Sequence, residues 1–173
     1  MTLAFAIPTI ETTRLSLRAP AESDLASMTA FGASPRSGFV GGPYDHWGAW
    51  RVLLAGIGHW ALRGYGYWSV DLRETGAFIG RVGVIYPNGT PEPELAWGLF
   101  DGFEGKGYGT EAVLAARRYA DENFGLAPLA SFIDPKNAAS MRLALRVGAV
   151  LEGQMVEDGT TLHTYRHPAL VAT

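Results

Sequence analysis

The chain has 173 residues, a length typical of one domain that buries an apolar core without metals or disulfides. It contains no cysteine, which excludes disulfide frameworks, thiolate nucleophiles and cysteine-ligated zinc, and which fits a reducing compartment. A net charge of -3 without a long basic run argues against a nucleic-acid partner.

The first residues do not predict a targeting segment. The apolar run at residues 3–7 is short, lacks a basic flank and meets Pro8 before any cleavage pattern, so no signal peptide is expected. No run approaches the ~18 apolar residues of a membrane span, so no membrane partner is expected. We therefore predict one soluble, cytoplasmic domain over residues 1–173.

The first third of the chain predicts one strand and two helices. Residues 11–18 alternate apolar Leu15 and Leu17 with polar side chains, the period of a half-buried strand. Residues 21–32 and 44–62 carry apolar side chains at helical spacing. The apolar face predicted for the second helix consists of Trp47, Trp50, Leu54, Ile57 and Ala61.

Three strands are predicted next. Residues 65–72 and 77–86 are rich in aromatic and β-branched side chains, and the four residues between them have the length and final glycine of a hairpin turn. Residues 94–100 follow a turn cluster and supply the fourth strand of the chain.

A glycine-rich segment separates this strand from a helix. Residues 102–109 contain four glycines, and residues 110–124 predict a helix. One face of this helix carries Val113, Ala116, Ala120 and Phe124.

The remaining chain predicts a strand at 129–134, a helix at 137–147 and strands at 149–153 and 161–166. The predicted order is β-α-α-β-β-β-α-β-α-β-β. Only its middle β-α-β passage requires parallel pairing.

The segment Gly105-Lys-Gly-Tyr-Gly-Thr-Glu-Ala112 ends a strand and opens a helix. It resembles the acyl-CoA-binding motif of GNAT N-acetyltransferases, in the form found in relatives of the ribosomal-protein N-terminal acetyltransferases. The resemblance implies the GNAT fold, a mixed α/β (α+β) architecture with a mostly antiparallel central sheet of about seven strands and about four helices. It also implies acetyl-CoA as the cosubstrate.

Local chemistry supports a phosphate-binding role for this loop. Main-chain N–H groups at the start of a helix lack partners, and the helix dipole favours anions. Gly107 and Gly109 let a diphosphate approach the main chain, and Lys106 adds positive charge. Walker and dinucleotide-binding patterns are not met. The cofactor-binding residues predicted in this loop are Gly105, Lys106, Gly107, Tyr108, Gly109 and Thr110.

Two features depart from the superfamily pattern. Glu104 stands where the pattern often has Gln or Arg, which places a carboxylate beside the expected diphosphate. The helix at 137–147 lacks the Tyr that many members carry there.

A second resemblance covers residues 134–149, which match the family's Asn-x-x-Ser segment before a helix and a glycine. It implies that Asn137 contacts the pantetheine arm and that Ser140 lies near the thioester sulfur, where it is the candidate acid for the leaving thiolate. Asn137 as an N-cap and Ser140 as a first-turn residue explain the same pattern, and the two readings are compatible.

Acyl transfer to an amine requires a neutral nucleophile, so a group must accept a proton. Glu94, at the start of the fourth strand, is the candidate general base, directly or through water; an ordinary exposed glutamate at a strand end is the alternative. The resemblance implies that a main-chain N–H near Leu99 or Phe100 polarises the thioester carbonyl.

Other signals carry less information. The four histidines show no spacing suited to a shared metal, so no metal is expected. The five tryptophans form either a substrate pocket or part of the core. Residues 38–43 are either the loop that shapes the acceptor site or a plain connector.

These observations predict an acetyl-CoA-dependent N-acetyltransferase that acylates a primary amine, of a protein N-terminus or of a small molecule, in a ternary complex. A non-catalytic acyl-CoA-binding or regulatory domain and a structural interaction module are the alternatives. An exposed edge strand would favour a homodimer.

Overall fold

The strands and helices follow one another along the chain largely in the predicted order. The computed structural model describes residues 5–169. Its strands are β1 (Ile10–Glu11), β2 (Leu15–Arg18), β3 (Tyr67–Leu72), β4 (Phe78–Ile85), β5 (Glu94–Leu99), β6 (Ala130–Ile133), β7 (Val150–Glu157) and β8 (Thr160–Arg166). Its α-helices are α1 (Leu25–Gly32), α2 (His46–Arg63), α3 (Tyr108–Phe124) and α4 (Ala138–Arg146). None of the helices in the described part of the chain is long and apolar enough to cross a membrane.

All eight strands join one sheet in the order β1-β2-β3-β4-β5-β6-β8-β7. Neighbouring strands are antiparallel except β5 and β6, which are parallel and are connected through α3. This mixed, mostly antiparallel sheet with its four α-helices confirms the predicted fold class.

The first predicted strand is in fact two strands, so the sheet has eight strands rather than about seven. The chain turns at Thr12, whose amide donates to Leu15 O at 2.9 Å. The Thr12 hydroxyl donates to Glu111 Oε1 at 2.7 Å, across 99 residues of sequence. Because this contact is so distant in sequence, the local alternation of residues 11–18 did not reveal the break.

The apolar face of α3 was predicted correctly. Val113, Ala116 and Ala120 are fully buried and belong to the main core, against Val82 of β4 and Leu95 of β5. The small side chains let α3 lie close to the sheet, which fixes the helix relative to the strand that precedes it.

The apolar face predicted for α2 was partly wrong, because Trp50 and Ile57 pack against the core but the other predicted members do not. Trp47 is 66% exposed and Leu54 is 47% exposed, whereas the buried residues are Ala49, Leu53 and Trp60. Apolar residues occur all around this helix, so periodicity does not select one face. Trp60 selects it by tertiary contacts: its Nε1 donates to Tyr67 O at 2.8 Å and its ring meets Trp68 edge to face.

The last two strands are longer than predicted. β7 continues to Glu157 and β8 begins at Thr160, so the hairpin projects beyond the predicted residues 149–153 and 161–166. Asp158 and Gly159 have φ values of 47° and 78°, the left-handed conformation of a tight two-residue hairpin turn. An Asp-Gly pair is a strong hairpin signal, and it was available in the sequence.

Strands β5 and β6 separate after a single paired position, Glu94 with Ala130. Side chains bridge the gap at its base: the Ser131 hydroxyl donates to Leu95 O at 2.5 Å, and His167 Nε2 lies 2.8 Å from Ser131 Oγ. Because the hydroxyl proton goes to the carbonyl, His167 Nε2 is the donor to Ser131. This bridge sets where the strands part, and the gap beyond it opens toward the carboxyl end of β5.

The buried His167 should make stability depend on pH. Burial, with Arg117 and Arg166 nearby, lowers the pKa of His167 to about 4, and its Nδ1 has no hydrogen-bond partner within residues 5–169. The unfolded chain therefore binds a proton between about pH 6.5 and about pH 4 that the folded chain does not, and stability falls as the pH falls through this window.

We expect the wild type to lose roughly 2 to 3 kcal/mol more than His167→Gln when the pH is lowered from about 7 to about 4.5. Urea unfolding of both proteins at the two pH values measures the difference. Equal losses would show that His167 titrates alike in both states.

Candidate active site

Two cavities lie on either side of the gap between β5 and β6 and meet there. The glycine-loop cavity, of about 500 Å³, is bordered by the loop at 104–110 and by α4. The hairpin cavity, of about 760 Å³, is bordered by α2, the sheet and the tip of the β7–β8 hairpin. The residues common to both are Phe39, Val40, Trp97, Asn137 and Ser140. This shared set, the junction, connects the two cavities.

The glycine-loop cavity contains much of the predicted cofactor-binding set. The members that line it are Leu99, Gly105, Gly107, Gly109, Thr110 and Asn137. Helix α3 begins at Tyr108, two residues earlier than predicted, and its N-cap is Gly107 with a φ of 83°. Glycine provides no capping side chain, so the N–H groups of the first turn stay available to a ligand.

Three predicted side chains lie elsewhere. Lys106 Nζ turns back and donates to Gly102 O at 2.9 Å, while the Tyr108 ring lies 4.7 Å below the Arg14 guanidinium. Phe100 is buried in the core formed with α1 and α2. Lys106 and Tyr108 could thus contribute main-chain N–H groups, but their side chains do not line the cavity.

The amide of Phe100 is not free to polarise a thioester. It donates to Ile79 O at 2.8 Å, within the hydrogen-bond ladder between β4 and β5. Phe100 therefore cannot be the main-chain donor to the thioester, which corrects that prediction. N–H groups alternate in direction along an antiparallel strand, so the amides of Trp97 and Leu99 point away from β4, toward the gap. Of the two candidates, the geometry favours Leu99.

An unpredicted brace holds the back of the glycine loop. Glu111 accepts from the Arg14 amide at 2.8 Å and from Arg14 Nε at 2.7 Å, and Arg14 Nη1 donates to Lys106 O at 2.9 Å. Burial opposes ionisation, yet the hydrogen bonds from Thr12 and Arg14 hold the pKa of Glu111 below its usual value. The Glu111 carboxylate is therefore engaged by Thr12 and Arg14 and does not face a ligand. Together with the bond from Arg14 to the Lys106 carbonyl, these contacts hold the loop in place.

The carboxylate of Glu104 is also neutralised locally. Arg36 Nη1 lies 2.5 Å from Glu104 Oε1 and 2.8 Å from Asp101 Oδ1, and the Gly102 amide donates to Glu104 Oε2 at 2.7 Å. Arg36, which the sequence did not single out, thus offsets the negative charge that departs from the superfamily pattern.

The predicted N-cap of α4 is confirmed. Asn137 Oδ1 accepts from the Ser140 amide at 3.1 Å, and both side chains lie at the junction. Capping occupies only the side-chain oxygen of Asn137, so its NH₂ group can serve a ligand.

Glu94 lines the hairpin cavity. Burial, together with the nearby Glu157 charge, raises the pKa of Glu94 to about 7, although the Phe132 amide acts in the opposite direction. Tyr67 lines the same cavity, and burial raises its pKa to about 12. A carboxyl group whose pKa lies near neutrality can accept a proton at physiological pH and later release it.

The hairpin cavity contains acidic groups that the sequence analysis missed. Glu157 and Asp158, at the tip of the β7–β8 hairpin, line it together with Glu94. None of the three forms an ion pair with another of the described residues. Asp134 also lines this cavity, and Arg81 is the arginine among its described lining residues, so the lining stays net negative and would attract a cationic ligand.

Tryptophans and histidines divide between core and site. Trp60 and Trp68 are buried in the core, Trp47 is exposed, and Trp97 lies at the junction. His59 uses both ring nitrogens structurally, with Nδ1 2.7 Å from Tyr65 O and Nε2 accepting from the Tyr86 amide at 2.9 Å. Within residues 5–169 no group of three or more potential metal ligands occurs.

Comparison with known proteins agrees with this architecture. The acetyltransferase (GNAT) domain family matches residues 14–150. A solved acetyltransferase from Agrobacterium tumefaciens is 40% identical, with a TM-score of 0.86 over 96% of this chain and 98% of that chain. The chain belongs to the GNAT acetyltransferase family, and it is an acetyl-CoA-dependent acyltransferase by that membership.

More distant structures share the fold. A putative ribosomal-protein-serine acetyltransferase from Vibrio cholerae is 23% identical, with a TM-score of 0.76 over 96% of this chain and 98% of that chain. The ribosomal L7/L12 α-N-protein acetyltransferase RimL, solved in complex with coenzyme A, is 18% identical, with a TM-score of 0.77 over 93% of this chain and 98% of that chain.

Proposed function

We propose that the protein transfers the acetyl group of acetyl-CoA directly to a primary amine while both substrates are bound. The junction carries this proposal, because one cavity bordered by the α3 N-terminus meets, at Ser140 and Trp97, a second cavity that contains a carboxyl group with a raised pKa. A cosubstrate and an acceptor entering from opposite sides would bring thioester and amine together there.

The glycine-loop cavity would hold the cosubstrate. Its diphosphate would accept hydrogen bonds from the main-chain N–H groups of residues 105–110, at the positive end of the α3 dipole. The pantetheine arm would then run along the gap past Asn137, and the Leu99 amide would donate to the thioester oxygen as it gains negative charge. RimL in its coenzyme A complex has the same fold, which supports this placement.

Glu94 would act as the general base through water. A strand rises about 3.4 Å per residue, so Glu94 begins β5 about 10 Å before Trp97 at the junction and about 17 Å before Leu99, whose amide would hold the thioester oxygen. That separation exceeds direct proton transfer and suits one or more bridging waters. The base would remove the proton that the amine loses as it attacks the thioester carbonyl.

Ser140 would donate to the departing thiolate. The thiolate of coenzyme A resembles that of cysteine, with a pKa of about 8.5, so it can leave as the anion, stabilised by a hydrogen bond from the Ser140 hydroxyl, and take its proton from water afterwards. Ser140 lies at the junction, and its hydroxyl could take the place of the Tyr that α4 lacks. We therefore expect loss of this hydroxyl to slow turnover less than loss of Glu94.

The acceptor would be a small-molecule amine or the α-amine of a protein N-terminus. Glu157 and Asp158 give its cavity negative charge, which would attract an ammonium group before deprotonation. The ribosomal-protein acetyltransferases of the same fold support a peptide α-amine as one candidate. Phe39 and Val40, inside the predicted loop at 38–43, line the junction, which supports an acceptor-shaping role for that loop.

The same proposal covers the setting of the enzyme. We propose a single domain, because one sheet includes strands from residue 10 to residue 166. Use of acetyl-CoA would place it in the cytoplasm.

The outer strand β7 exposes Val150 and Val156, so we propose that a homodimer covers this edge.

A thiol-release assay with acetyl-CoA and a panel of amines tests the proposal. The panel would compare peptides that differ in their first residue with small monoamines and diamines, alongside calorimetric titration of coenzyme A. We expect coenzyme A to bind and acetyl-CoA to be turned over with at least one class of amine. Binding without turnover for any amine would favour a non-catalytic acyl-CoA-binding domain.

A further inference from the structure

Helix α4 presents positive charge to the glycine-loop cavity. Four cationic side chains line this cavity, whereas Glu104 is the only acidic one among the described residues that line it. The four cations are Arg36, Lys136, Arg142 and Arg146. The whole chain has a net charge of -3, so this concentration of positive charge is local and marks a site for an anion.

Three of these cations, Lys136, Arg142 and Arg146, form no ion pair with any of the described residues, and the last two lie together on α4. Arg36 is bound to Glu104 and Asp101, and Arg14 behind the loop is bound to Glu111. Arg142 and Arg146 are exposed and form no ion pair with any residue in the range 5–169. Their guanidinium groups therefore remain available to a ligand.

Their position along α4 indicates which part of the ligand they would meet. The helix starts at the junction with Asn137 and Ser140, and farther along Leu143 lies against Gly109, where an added Cβ would be 3.1 Å from Leu143 Cδ2. Leu143 is thus level with the first turn of α3. Arg142 and Arg146 are four residues apart, which places them on one side of the helix, at and beyond that level.

Coenzyme A carries a third phosphate group at the end of the molecule opposite the thioester. From the thioester the molecule runs through pantetheine and diphosphate to an adenosine that carries a third phosphate on its 3′ oxygen. A phosphate monoester has a second pKa of about 6, so this group is largely dianionic at pH 7. Arginine donates two parallel N–H groups to such an anion.

We infer that Arg142 and Arg146 form a subsite for the 3′-phosphate of coenzyme A and make the enzyme discriminate against cosubstrates that lack it. The inference rests on the proposed function, since it assumes that the diphosphate occupies the amides of residues 105–110. Unlike those amides, which bind any diphosphate, the two arginines recognise the group that distinguishes coenzyme A from its 3′-dephospho form.

Binding of coenzyme A and 3′-dephospho-coenzyme A, measured by calorimetry, tests the subsite. The wild type should bind coenzyme A at least about tenfold more tightly, a difference of 1.4 kcal/mol. The double variant Arg142→Gln/Arg146→Gln should lose this preference and keep the wild-type affinity for the dephospho form. The double variant Arg51→Gln/Arg118→Gln, which removes two exposed arginines that line neither cavity, is the charge-matched control and should keep the preference.

Each outcome separates the two ideas. Equal wild-type affinity for both ligands would overturn the subsite and leave the proposed function standing, and this comparison needs no variant to fold. Equal weakening of both ligands in the double variant would also overturn it, since general charge attraction would explain the loss. Failure of the wild type to bind either ligand would overturn the proposed function and the subsite together.

Discussion

Replacing Glu94 by glutamine should lower kcat by about 10²- to 10⁴-fold and leave the affinity for coenzyme A unchanged. Glutamine keeps the size of the side chain and cannot accept the proton of the attacking amine. Glu94 lines the hairpin cavity and not the glycine-loop cavity, so cosubstrate binding should not depend on it. Steady-state kinetics beside calorimetry with coenzyme A measures both quantities.

The pH profile gives the same residue a second test. Burial raises the pKa of Glu94 to about 7, so kcat/KM of the wild type should rise with pH up to about 7 and level off above it. Glu94→Gln should lack this inflection. Wild-type turnover with no inflection near neutrality, or a variant that keeps it, would remove Glu94 from the mechanism.

Glu157→Gln is the matched control for this profile. It removes a carboxylate from the same cavity, and that carboxylate contributes to the raised pKa of Glu94. The inflection should therefore move to lower pH, while kcat on the alkaline side stays near the wild-type value. Loss of activity equal to that of Glu94→Gln would mean that the two carboxylates act as one unit.

Stability should change in the opposite direction from activity. A carboxyl group whose pKa is raised by folding favours the folded state at low pH, and this contribution is lost as the pH rises from about 4.5 through about 7. Glu94→Gln should therefore be more stable than the wild type at pH 8, by on the order of 1 to 3 kcal/mol. The active site would thus be a place where function opposes stability.

Local patterns predicted the fold well where a segment is specified by its own residues. Helix α3 has a strict apolar face and an obvious start in the glycine loop, so its position and buried side were both found. The Trp60 side of α2 and the break before β2 were not found, because Trp60 and Glu111 determine them through contacts with distant residues. The Asp158-Gly159 turn was a local signal that was overlooked.

The candidate site divides in the same way. The main-chain part of the cosubstrate loop could be predicted, because a cluster of glycines between a strand and a helix is a local sequence pattern. The side chains that brace the loop, Arg14 and Arg36, come from segments about 90 and 65 residues earlier, and nothing near them marks their partners. Lys106 was predicted to bring positive charge to the phosphates because it lies within the loop, yet its ammonium group donates to the Gly102 carbonyl.

Replacing Gly107 by valine should abolish measurable binding of coenzyme A. Gly107 has a φ of 83°, a conformation that β-branched residues almost never adopt, and its Cβ would lie 3.2 Å from Arg14 Nη2. Arg14 cannot withdraw freely, since it is bound to both Glu111 and the Lys106 carbonyl. The loop would have to shift, and the amides that hold the diphosphate would shift with it.

Gly64→Val separates this effect from backbone strain alone. Gly64 ends α2 with a φ of 77°, has nothing within 4 Å of its added Cβ, and lines neither cavity. Gly64→Val should lose on the order of 1 to 2 kcal/mol of stability in urea unfolding from backbone strain, and Gly107→Val should lose at least as much because its Cβ also meets Arg14. Only Gly107→Val should lose coenzyme A, because only there does the strained position belong to the phosphate-binding turn. If both variants bound the ligand as the wild type does, the first turn of α3 would not be where the diphosphate is held.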